Sequence, residues 1–257
     1  MEKFICFLIT RRLTSCNFCH CVIIMNTFAM LYALSMSIYW ISRHNIEKFC
    51  LLKGKHLTGE FLDFGCGSTP YKSCFPLSQS YIGLEYDRKL DDGKYYSDGT
   101  NYYYDGALIP FADNSFDAIV SFQVLEHIKD LHTSLCELKR VSRPGAVFLF
   151  TVPLLWPEHE TPFDFRRFTR WGITDIFDAA GLEVSDVVPL GSIYDVIFSF
   201  ILDYINHHPS PLTKVLCKFI VPILNTASIV LNFLDPWACR SSRHCYLDLG
   251  VMATNPD

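Results

Sequence analysis

Short apolar segments recur at intervals through the middle of the chain. They are rich in aromatic and β-branched residues and have the length of strands, and two of them are nearly continuous apolar runs, as in strands buried on both faces of a parallel sheet. The first segment ends in glycine and the second in an acidic residue. The strand candidates are 59–65, 80–87, 101–106, 116–122, 146–152 and 182–190.

Two segments between these candidates show helical periodicity instead. Apolar residues recur at spacings of three and four from Ile128 to Val141, and a Pro-Gly pair then ends the pattern. A second helix is predicted to begin after Thr169, which would be its N-cap, and to end at Gly181. Because strands and helices alternate, the sequence predicts an α/β fold with a doubly wound, mostly parallel sheet.

The N-terminal region contains an apolar run that is long enough to cross a bilayer. Residues 22–41 carry no charged side chain, and a transmembrane helix needs about 20 such residues. Tyr39 and Trp40 stand at the end of the run, where aromatic side chains favour a membrane interface. We expect a membrane anchor; a signal or targeting segment and a leader outside the mature protein are the alternatives. Flanking basic residues slightly favour a cytoplasmic location for the C-terminal side.

A second apolar region follows the strand candidate 182–190. It contains two helical segments, and each carries its polar residues on a narrow stripe within a broad apolar surface. Such a pair of helices is expected either to lie in a membrane interface or to pack on its own domain. The stripes consist of Ser192, Asp195, Ser199, Asp203 and Asn206 in the first segment, and of Lys214, Lys218, Asn225, Ser228 and Asn232 in the second.

Charge and cysteine content narrow the range of partners. The net charge is −5 and the pI is near 6.0, so the basic excess typical of nucleic-acid binding is missing and no such partner is expected. The eleven cysteines are an odd number and are scattered, which favours free thiols in a reducing compartment. Cys16 and Cys19 form a C-x-x-C pair, but no second ligand pair lies at zinc spacing, so no metal site is expected.

The first strand candidate leads into a glycine pair. The stretch FLDFGCG places Asp63 before Gly65 and Gly67, at the position where ligands bind beyond the carboxyl ends of strands in a doubly wound sheet. Glycines there allow positive φ and close approach of a ligand to the backbone. Pro70 occupies the position where a dinucleotide fingerprint has its third glycine, which argues against NAD.

Four motifs together resemble the class I S-adenosylmethionine-dependent methyltransferases of type 11. The resemblance covers about 56–190 and implies S-adenosylmethionine as the cofactor. One departure is Thr69, where the family often has a further glycine. The motifs are D-F-G-C-G at 63–67, the acid Glu85, the block D-G-A-L-I-P-F-A-D-N-S-F-D at 105–117, and V-L-E-H-I at 124–128.

The resemblance also implies residue roles. Glu85 would accept hydrogen bonds from the ribose hydroxyls, Asp105 would hold the adenine amino group, and Asp63 with the glycine loop would secure the methionine portion. Gln123 would line the same pocket. The cofactor-binding residues implied in this way are Asp63, Gly65, Gly67, Glu85, Asp105 and Gln123.

The family topology divides the chain into four parts. The family core closes with an antiparallel seventh strand, and 246–254 has the sequence of such a strand. The preceding apolar region is then a helical-hairpin insertion between strands six and seven. The predicted parts are an anchor and linker at 1–55, the methyltransferase core at 56–190, the apolar insertion at 191–245, and the last strand and C-terminus at 246–257.

Acceptor-binding residues are expected in the segment 152–172, after the fifth strand. It resembles a family pattern at His159, Pro162, Asp164, Arg167 and Thr169. His159 or Asp164 would act as a base, and Arg167 would grip an anionic group. The alternative is structural, with Asp164 pairing with an arginine to fold the loop and Thr169 capping a helix.

His127, at the end of the fourth predicted strand, is a further catalytic candidate. The alternative is that it satisfies backbone groups. The leading interpretation of the whole chain is a membrane-associated methyltransferase with a lipid-linked or otherwise lipophilic acceptor and a catalytic domain facing the cytoplasm. The alternatives are a methyltransferase for a soluble small molecule or a protein, and a non-catalytic S-adenosylmethionine-binding module.

Overall fold

An eight-stranded mixed sheet forms the centre of the protein. The computed structural model describes residues 37–87, 89, 95–99, 101–208, 210–235 and 245–257. Most of the predicted anchor, residues 22–36, lies outside the described part of the chain. The strands are β1 (Gly59–Phe64), β2 (Ser78–Tyr86), β3 (Tyr95–Ser97), β4 (Asn101–Tyr104), β5 (Phe116–Phe122), β6 (Ser142–Pro153), β7 (Glu183–Leu190) and β8 (Asp248–Thr254).

The strand order is β3-β4-β2-β1-β5-β6-β8-β7. The five strands from β4 to β6 in this order are parallel, and β8 is antiparallel to both of its neighbours. The α/β fold, the mostly parallel sheet and the antiparallel last strand are therefore confirmed. The predicted count of seven strands was one too low, because the short strand β3 pairs antiparallel with β4 at the edge of the sheet.

Five α-helices accompany the sheet in the described residues. Thr169 caps α3 as predicted, since its hydroxyl accepts a hydrogen bond from the amide of Gly172 at 3.1 Å. The helix α2 begins later than the periodicity from Ile128 indicates, because Asp130 accepts from the amide of Thr133 and fixes the helix start there. The helices are α1 (Trp40–Lys53), α2 (Leu131–Val141), α3 (Arg170–Ala179), α4 (Ile193–His207) and α5 (Pro211–Leu234).

Helix α1 covers one face of the sheet. The connection from β1 to β2 contains only a three-residue 3-10 helix, Lys72–Cys74, where strand–helix alternation leads one to expect a full helix. Helix α1 fills the space on this face, and the residues 40–53 that were predicted to belong to the anchor and linker are thus packed helix. The buried cluster on this face includes Ile46, Phe49, Cys50, Phe61, Tyr81, Ala118, Val120 and Leu149.

Helices α2 and α3 cover the opposite face. Their apolar positions pack against alternate residues of the central strands, so that the sheet is buried on both sides. Both faces of the sheet are thus covered by helices, and the loops that follow the strands lie at their carboxyl ends. The cluster includes Leu135, Leu138, Ile173 and Phe177 from the helices and Leu62, Ile119, Phe148 and Phe150 from the strands.

Helices α4 and α5 form the predicted hairpin between the last two strands, and it is held together by a buried carboxylate. Asp195 is 2% exposed and accepts hydrogen bonds from the side chains of Ser228 and Asn232 on α5. It also accepts from the amide of Ser192 at 2.8 Å, which completes a capping box at the start of α4, and from Asn45 on α1 at 3.3 Å. One charged group therefore joins three helices.

The hairpin is polar inside and apolar outside. Residues of both predicted polar stripes, Ser192, Asp195, Ser199, Asn225 and Ser228, are buried. Large apolar side chains face outward along both helices. The exposed set, here called the outer apolar face, comprises Ile193, Ile197, Phe200, Ile201, Tyr204, Val215, Phe219, Ile223, Val230, Phe233 and Leu234.

The hairpin leaves the sheet at the carboxyl edge. β7 runs parallel to β6, and the first residue of β8, Asp248, pairs with the last residues of β6 and β7. The start of α1 reaches the same place, because Trp40 and Ile41 pack with Val196 of α4 and Val221 of α5. The end of the predicted anchor run thus lies against the hairpin.

We expect Asp195→Ala to lower the free energy of unfolding by about 3 kcal/mol, since it leaves several buried polar groups without their acceptor. Chemical denaturation of the detergent-solubilised chain measures this change. Asp178→Ala, at an exposed position of α3, is the control and should change stability by less than about 0.5 kcal/mol. Equal effects of the two substitutions would contradict the structural role of Asp195.

Candidate active site

The predicted cofactor residues lie at the carboxyl ends of four adjacent strands. Asp63 belongs to β1, Glu85 lies near the end of β2, Asp105 directly follows β4, and Gln123 directly follows β5. These strands are neighbours in the order β4-β2-β1-β5 and run in the same direction. The fold therefore brings residues that are up to 60 positions apart in the sequence to one edge of the sheet.

The glycine turn after β1 is closed by a hydrogen bond to Glu85. Gly65 and Gly67 have φ values of 71° and 47°, and the amide of Gly67 donates to Oε2 of Glu85 at 2.7 Å. A Cβ atom on Gly65 would lie 2.5 Å from the side chain of Val124, whereas one on Gly67 would meet nothing within 4 Å. The first glycine is thus required by packing, and the second borders open space.

Asp63 lies below this turn and is buried. Its Oδ2 accepts a hydrogen bond from the hydroxyl of Tyr81 at 2.7 Å. Burial raises the pKa of Asp63 to about 7, although the Tyr81 hydrogen bond acts in the opposite direction. Sequence reasoning missed Tyr81, because the register pairs it with Phe61 and only the tertiary structure brings its hydroxyl to Asp63, which pairs with Gly83.

Asp105 and Gln123, at the carboxyl ends of β4 and β5, make different hydrogen bonds. Asp105 accepts a hydrogen bond from the amide of Ala107 at 2.9 Å and so shapes the turn after β4. Gln123 has a φ of 56° and donates to the hydroxyl of Thr151 on β6 at 3.2 Å. It also bonds to the buried carboxyl of Asp248, whose pKa burial raises to about 7. Gln123 therefore links three strands at the point where the chain turns away from β5.

Asp164 and Arg167 fold the loop after β6. The guanidinium of Arg167 binds both oxygens of Asp164, at 2.6 and 2.7 Å, and also donates to the carbonyl oxygens of Trp156, Pro157 and Arg166. All five of its N–H groups are used. The hydrogen bonds from Arg167 hold the pKa of Asp164 near 2.

This geometry favours the structural alternative for both residues. A carboxyl with so low a pKa is a weak base, and a guanidinium without a spare N–H group has no donor for an anionic acceptor. The contacts therefore favour a pair that positions the loop, while the roles of Asp164 as a base and Arg167 as an anion grip stay predictions.

His127 and His159 come together beside this pair. Their rings meet edge to face with centroids 4.7 Å apart. The Nδ1 atom of His127 lies 2.8 Å from the carbonyl oxygen of Phe163, and Nδ1 of His159 lies 3.3 Å from Oδ2 of Asp164. The structure thus unites all four predicted catalytic residues in one cluster, and both imidazoles border the loop.

Glu126 belongs to the same cluster and was missed by the sequence analysis. Its carboxylate is fully buried next to His127, and burial raises its pKa to about 8. The motif V-L-E-H-I contains it, but the sequence alone does not show which of its residues point inward. Its position in a 3-10 helix, Leu125–His127, turns it beneath the loop.

Comparisons with known proteins agree with this arrangement. Residues 62–150 match the sequence profile of a family described as a methyltransferase domain. A probable S-adenosylmethionine-dependent methyltransferase of Mycolicibacterium smegmatis is 30% identical over 159 residues, which are 58% of this chain and 62% of the relative. Residues 62–150 thus match a methyltransferase domain, and the fold of the chain is that of the class I S-adenosylmethionine-dependent methyltransferases.

Two further similarities are shorter or more distant. Demethylmenaquinone methyltransferase of Corynebacterium efficiens is 43% identical over 54 residues, 20% of this methyltransferase and 24% of the relative. A chain of the complex between the Haloferax volcanii Trm112 methyltransferase activator and the putative methyltransferase superposes with a TM-score of 0.53 at 16% identity, covering 89% and 98% of the two chains. The methyltransferase thus spans less than two thirds of its curated relatives, and the structural match shows the fold alone.

The carboxyl edge fits the cofactor S-adenosylmethionine. This molecule carries a ribose diol, an ammonium group and a sulfonium, so acidic side chains and bare amides complement it. The methyltransferase offers the Glu85 carboxylate and the open backbone at Gly67 in one place. The individual roles of the six predicted cofactor residues remain predictions.

We expect Arg167→Ala to destabilise the methyltransferase by about 3 kcal/mol, because it leaves the Asp164 carboxylate buried without its partner. Thermal and chemical denaturation measure the loss. Lys129→Ala, at an exposed position, serves as the control and should have little effect. Wild-type stability of Arg167→Ala together with lost acceptor binding would instead restore the role as an anion grip.

Proposed function

We propose that this protein is a membrane-bound methyltransferase that transfers the methyl group of S-adenosylmethionine to a lipophilic acceptor. The observation that carries the proposal is the inverted hairpin, polar inside and apolar outside, at the edge of the sheet that fits the cofactor.

The outer apolar face suits a membrane better than water. Exposed apolar patches of this extent are rare on monomeric soluble proteins and mark interaction sites. Polar side chains that face a helix interface while apolar ones face outward are the pattern of helices surrounded by lipid. Within the described residues, Cys217–Leu234 is the one stretch that is long and apolar enough to cross a membrane, and only 17% of it is buried.

Helix lengths favour a hairpin that lies in the interface. Helix α4 has 15 residues and is about 22 Å long, too short for a bilayer core of about 30 Å. Helix α5, with 24 residues, extends to about 36 Å but contains Pro222 and shares the buried polar network with α4. The predicted N-terminal anchor would supply the permanent attachment, and the hairpin would immerse its outer apolar face.

The acceptor would enter from the lipid side. Leu155 and Trp156, in the loop after β6, pack against the cluster formed by α1, α4 and α5. The same loop continues to His159, so the hairpin packs against the segment that carries this candidate acceptor residue. The Corynebacterium efficiens relative is a demethylmenaquinone methyltransferase, which supports an acceptor of lipophilic type over a match of 54 residues.

The bound cofactor supplies an electrophilic methyl group on a positively charged sulfur. Glu85 would hold the ribose, and Asp63 with the glycine turn would hold the methionine portion. Proximity of the acceptor then provides much of the rate enhancement. A hydroxyl or ammonium acceptor must also lose a proton. His127 and His159 stand at the loop where this proton would be removed, while Asp164 and Arg167 keep His159 in place.

The catalytic domain would face the cytoplasm. The described cysteines, which include the buried Cys50, Cys66 and Cys74, are free thiols. Free thiols suit a reducing compartment. The small excess of basic residues after the apolar run supports the same orientation.

Glu85→Ala is expected to weaken S-adenosylmethionine binding about tenfold or more, because it removes the charged acceptor from both the glycine turn and the ribose. Isothermal titration calorimetry of the solubilised protein measures the affinity. Glu183→Ala, at an exposed position of β7, is the matched control. Unchanged affinity in Glu85→Ala with intact circular dichroism would remove Glu85 from the site.

The hairpin can be tested by site-specific photocrosslinking. A benzophenone amino acid at Phe219, on the outer apolar face and 63% exposed, should crosslink to phospholipid acyl chains in vesicles. The same amino acid at Trp171, which is 79% exposed on α3, should not. Lipid adducts at both positions or at neither would refute the proposed membrane orientation, and acceptors in solution would then become the leading candidates.

A further inference from the structure

The carboxylate of Glu126 is buried without compensation. Its side chain is 0% exposed, and neither oxygen has a hydrogen-bond partner among the residues that the structure describes. Most buried polar atoms in folded proteins have such a partner, and a group that lacks one calls for an explanation such as an ion. The nearest polar atom that the ion pairs identify is Nε2 of His127, at 3.8 Å from Oε1.

Two imidazoles lie near this carboxyl group, and both have their Nδ1 atom turned toward acceptor atoms. The Nδ1 atom of His127 faces the carbonyl oxygen of Phe163, which only accepts, so Nδ1 carries the hydrogen and Nε2 carries the lone pair in the neutral ring. The Nδ1 atom of His159 likewise faces two acceptors, the carbonyl oxygen of Pro157 and a carboxylate oxygen of Asp164. Carboxylate or carbonyl partners on the far nitrogen are the usual outer contacts of metal-binding histidines.

We propose that Glu126, His127 and His159 bind a divalent transition metal ion, with Zn²⁺ as the best match. One ligand atom from each residue lies within 4.8 Å of the other two. The sequence predicts no metal site, because Cys16 and Cys19 have no second ligand pair at zinc spacing. Two of the proposed ligands are adjacent in the chain and the third comes from the loop after β6, so no sequence spacing reveals them.

The donor set determines the type of site. Zinc–nitrogen and zinc–oxygen bonds of about 2.1 Å place tetrahedral ligand atoms about 3.4 Å apart. The 3.8 Å between Oε1 of Glu126 and Nε2 of His127 reaches this value through a small side-chain rotation. Two histidines and one glutamate leave one coordination position open, which is the arrangement of catalytic zinc sites. The open position would face outward, because His127 and His159 are 18% and 32% exposed and Glu126 is not exposed.

The metal would bind the acceptor through oxygen. This part rests on the proposed function and specifies an acceptor with a hydroxyl group. Coordination lowers the pKa of a bound hydroxyl, so its proton is released to solvent before transfer. The oxygen then forms a bond to the methyl carbon while the carbon–sulfur bond breaks, and the sulfur leaves as a neutral thioether. The metal would thereby take the place of a protein base, because His127 and His159 would be its ligands and Asp164 is fully engaged by Arg167.

Metal binding is tested on the full-length protein after dialysis against a chelator. Titration with Co²⁺ should give the visible absorption of a four- or five-coordinate ion, and Zn²⁺ should displace it with one equivalent bound at this site. Acetohydroxamate, an oxygen ligand, should shift the spectrum because one position is open. His127→Ala, His159→Ala and Glu126→Gln should each weaken Co²⁺ binding about 100-fold.

His56→Ala is the control, since His56 is exposed and distant in sequence from the cluster. It should retain the full signal. Calorimetry with S-adenosylmethionine in each variant verifies that the domain is folded. The proposal is wrong if the folded wild-type protein shows no such spectrum, or if the spectrum survives all three substitutions, as it would with an ion held by the cysteines at 16–21.

The metal site and the proposed function can fail separately. Loss of the spectrum in the three variants establishes the site whether or not a lipid acceptor is ever methylated. With a hydroxylated lipid in vesicles, wild-type methylation that chelation leaves unchanged would overturn the catalytic role. Absence of methylation by the metal-loaded wild type across hydroxylated lipids would instead count against the lipophilic acceptor.

Discussion

The hairpin of α4 and α5 depends on the hydrogen bonds of one buried carboxylate, Asp195. Asp195 draws the polar groups of α4 and α5 inward, together with Asn45 of α1. Val196, Leu202 and Val221 are buried beside these polar groups, and many of the other large apolar side chains of the two helices lie on the outside. The same contacts fix the hairpin to the helix that covers the sheet. The apolar surface is therefore a rigid, preformed feature rather than a segment awaiting a place to fold.

The ion pair of Arg167 and Asp164 has a similar positioning effect on the loop after β6. Arg167 donates all five of its N–H groups to Asp164 and to three carbonyl oxygens. These bonds hold a loop with little regular structure in one conformation. His159 then has a defined position relative to His127 and Glu126. In both cases a buried carboxylate with a full set of hydrogen bonds fixes the position of neighbouring segments.

The sequence predicted the elements whose signals are local. Apolar runs gave the central strands, Thr169 gave a helix start, and the motifs gave the family and its cofactor. It predicted neither α1 nor β3, because α1 was hidden in the apolar run before it and β3 has only three exposed residues. Five residues of the predicted polar stripes are buried, whereas Asn206 and Lys218 are exposed, and this difference depends on how the two helices face each other.

Site roles were harder to predict for the same reason. The four catalytic candidates do lie together: His127, His159, Asp164 and Arg167. Only their hydrogen bonds show that Asp164 and Arg167 position the loop that carries His159. Glu126 and Tyr81 matter because of register and burial, and neither property is written in residue type or spacing. Sequence patterns thus located the site, and tertiary contacts assigned its parts.

The packing of α1 determines how closely the predicted anchor is joined to the folded core. Trp40 and Ile41 are already buried against the hairpin, so no slack chain separates the end of the predicted anchor from the folded body. With the proposed anchor in a bilayer, the protein would hold its cofactor edge at a constant height and tilt above the lipid headgroups. It would search for its acceptor by lateral diffusion in two dimensions, and its turnover would respond to the surface density of that acceptor rather than to its bulk concentration.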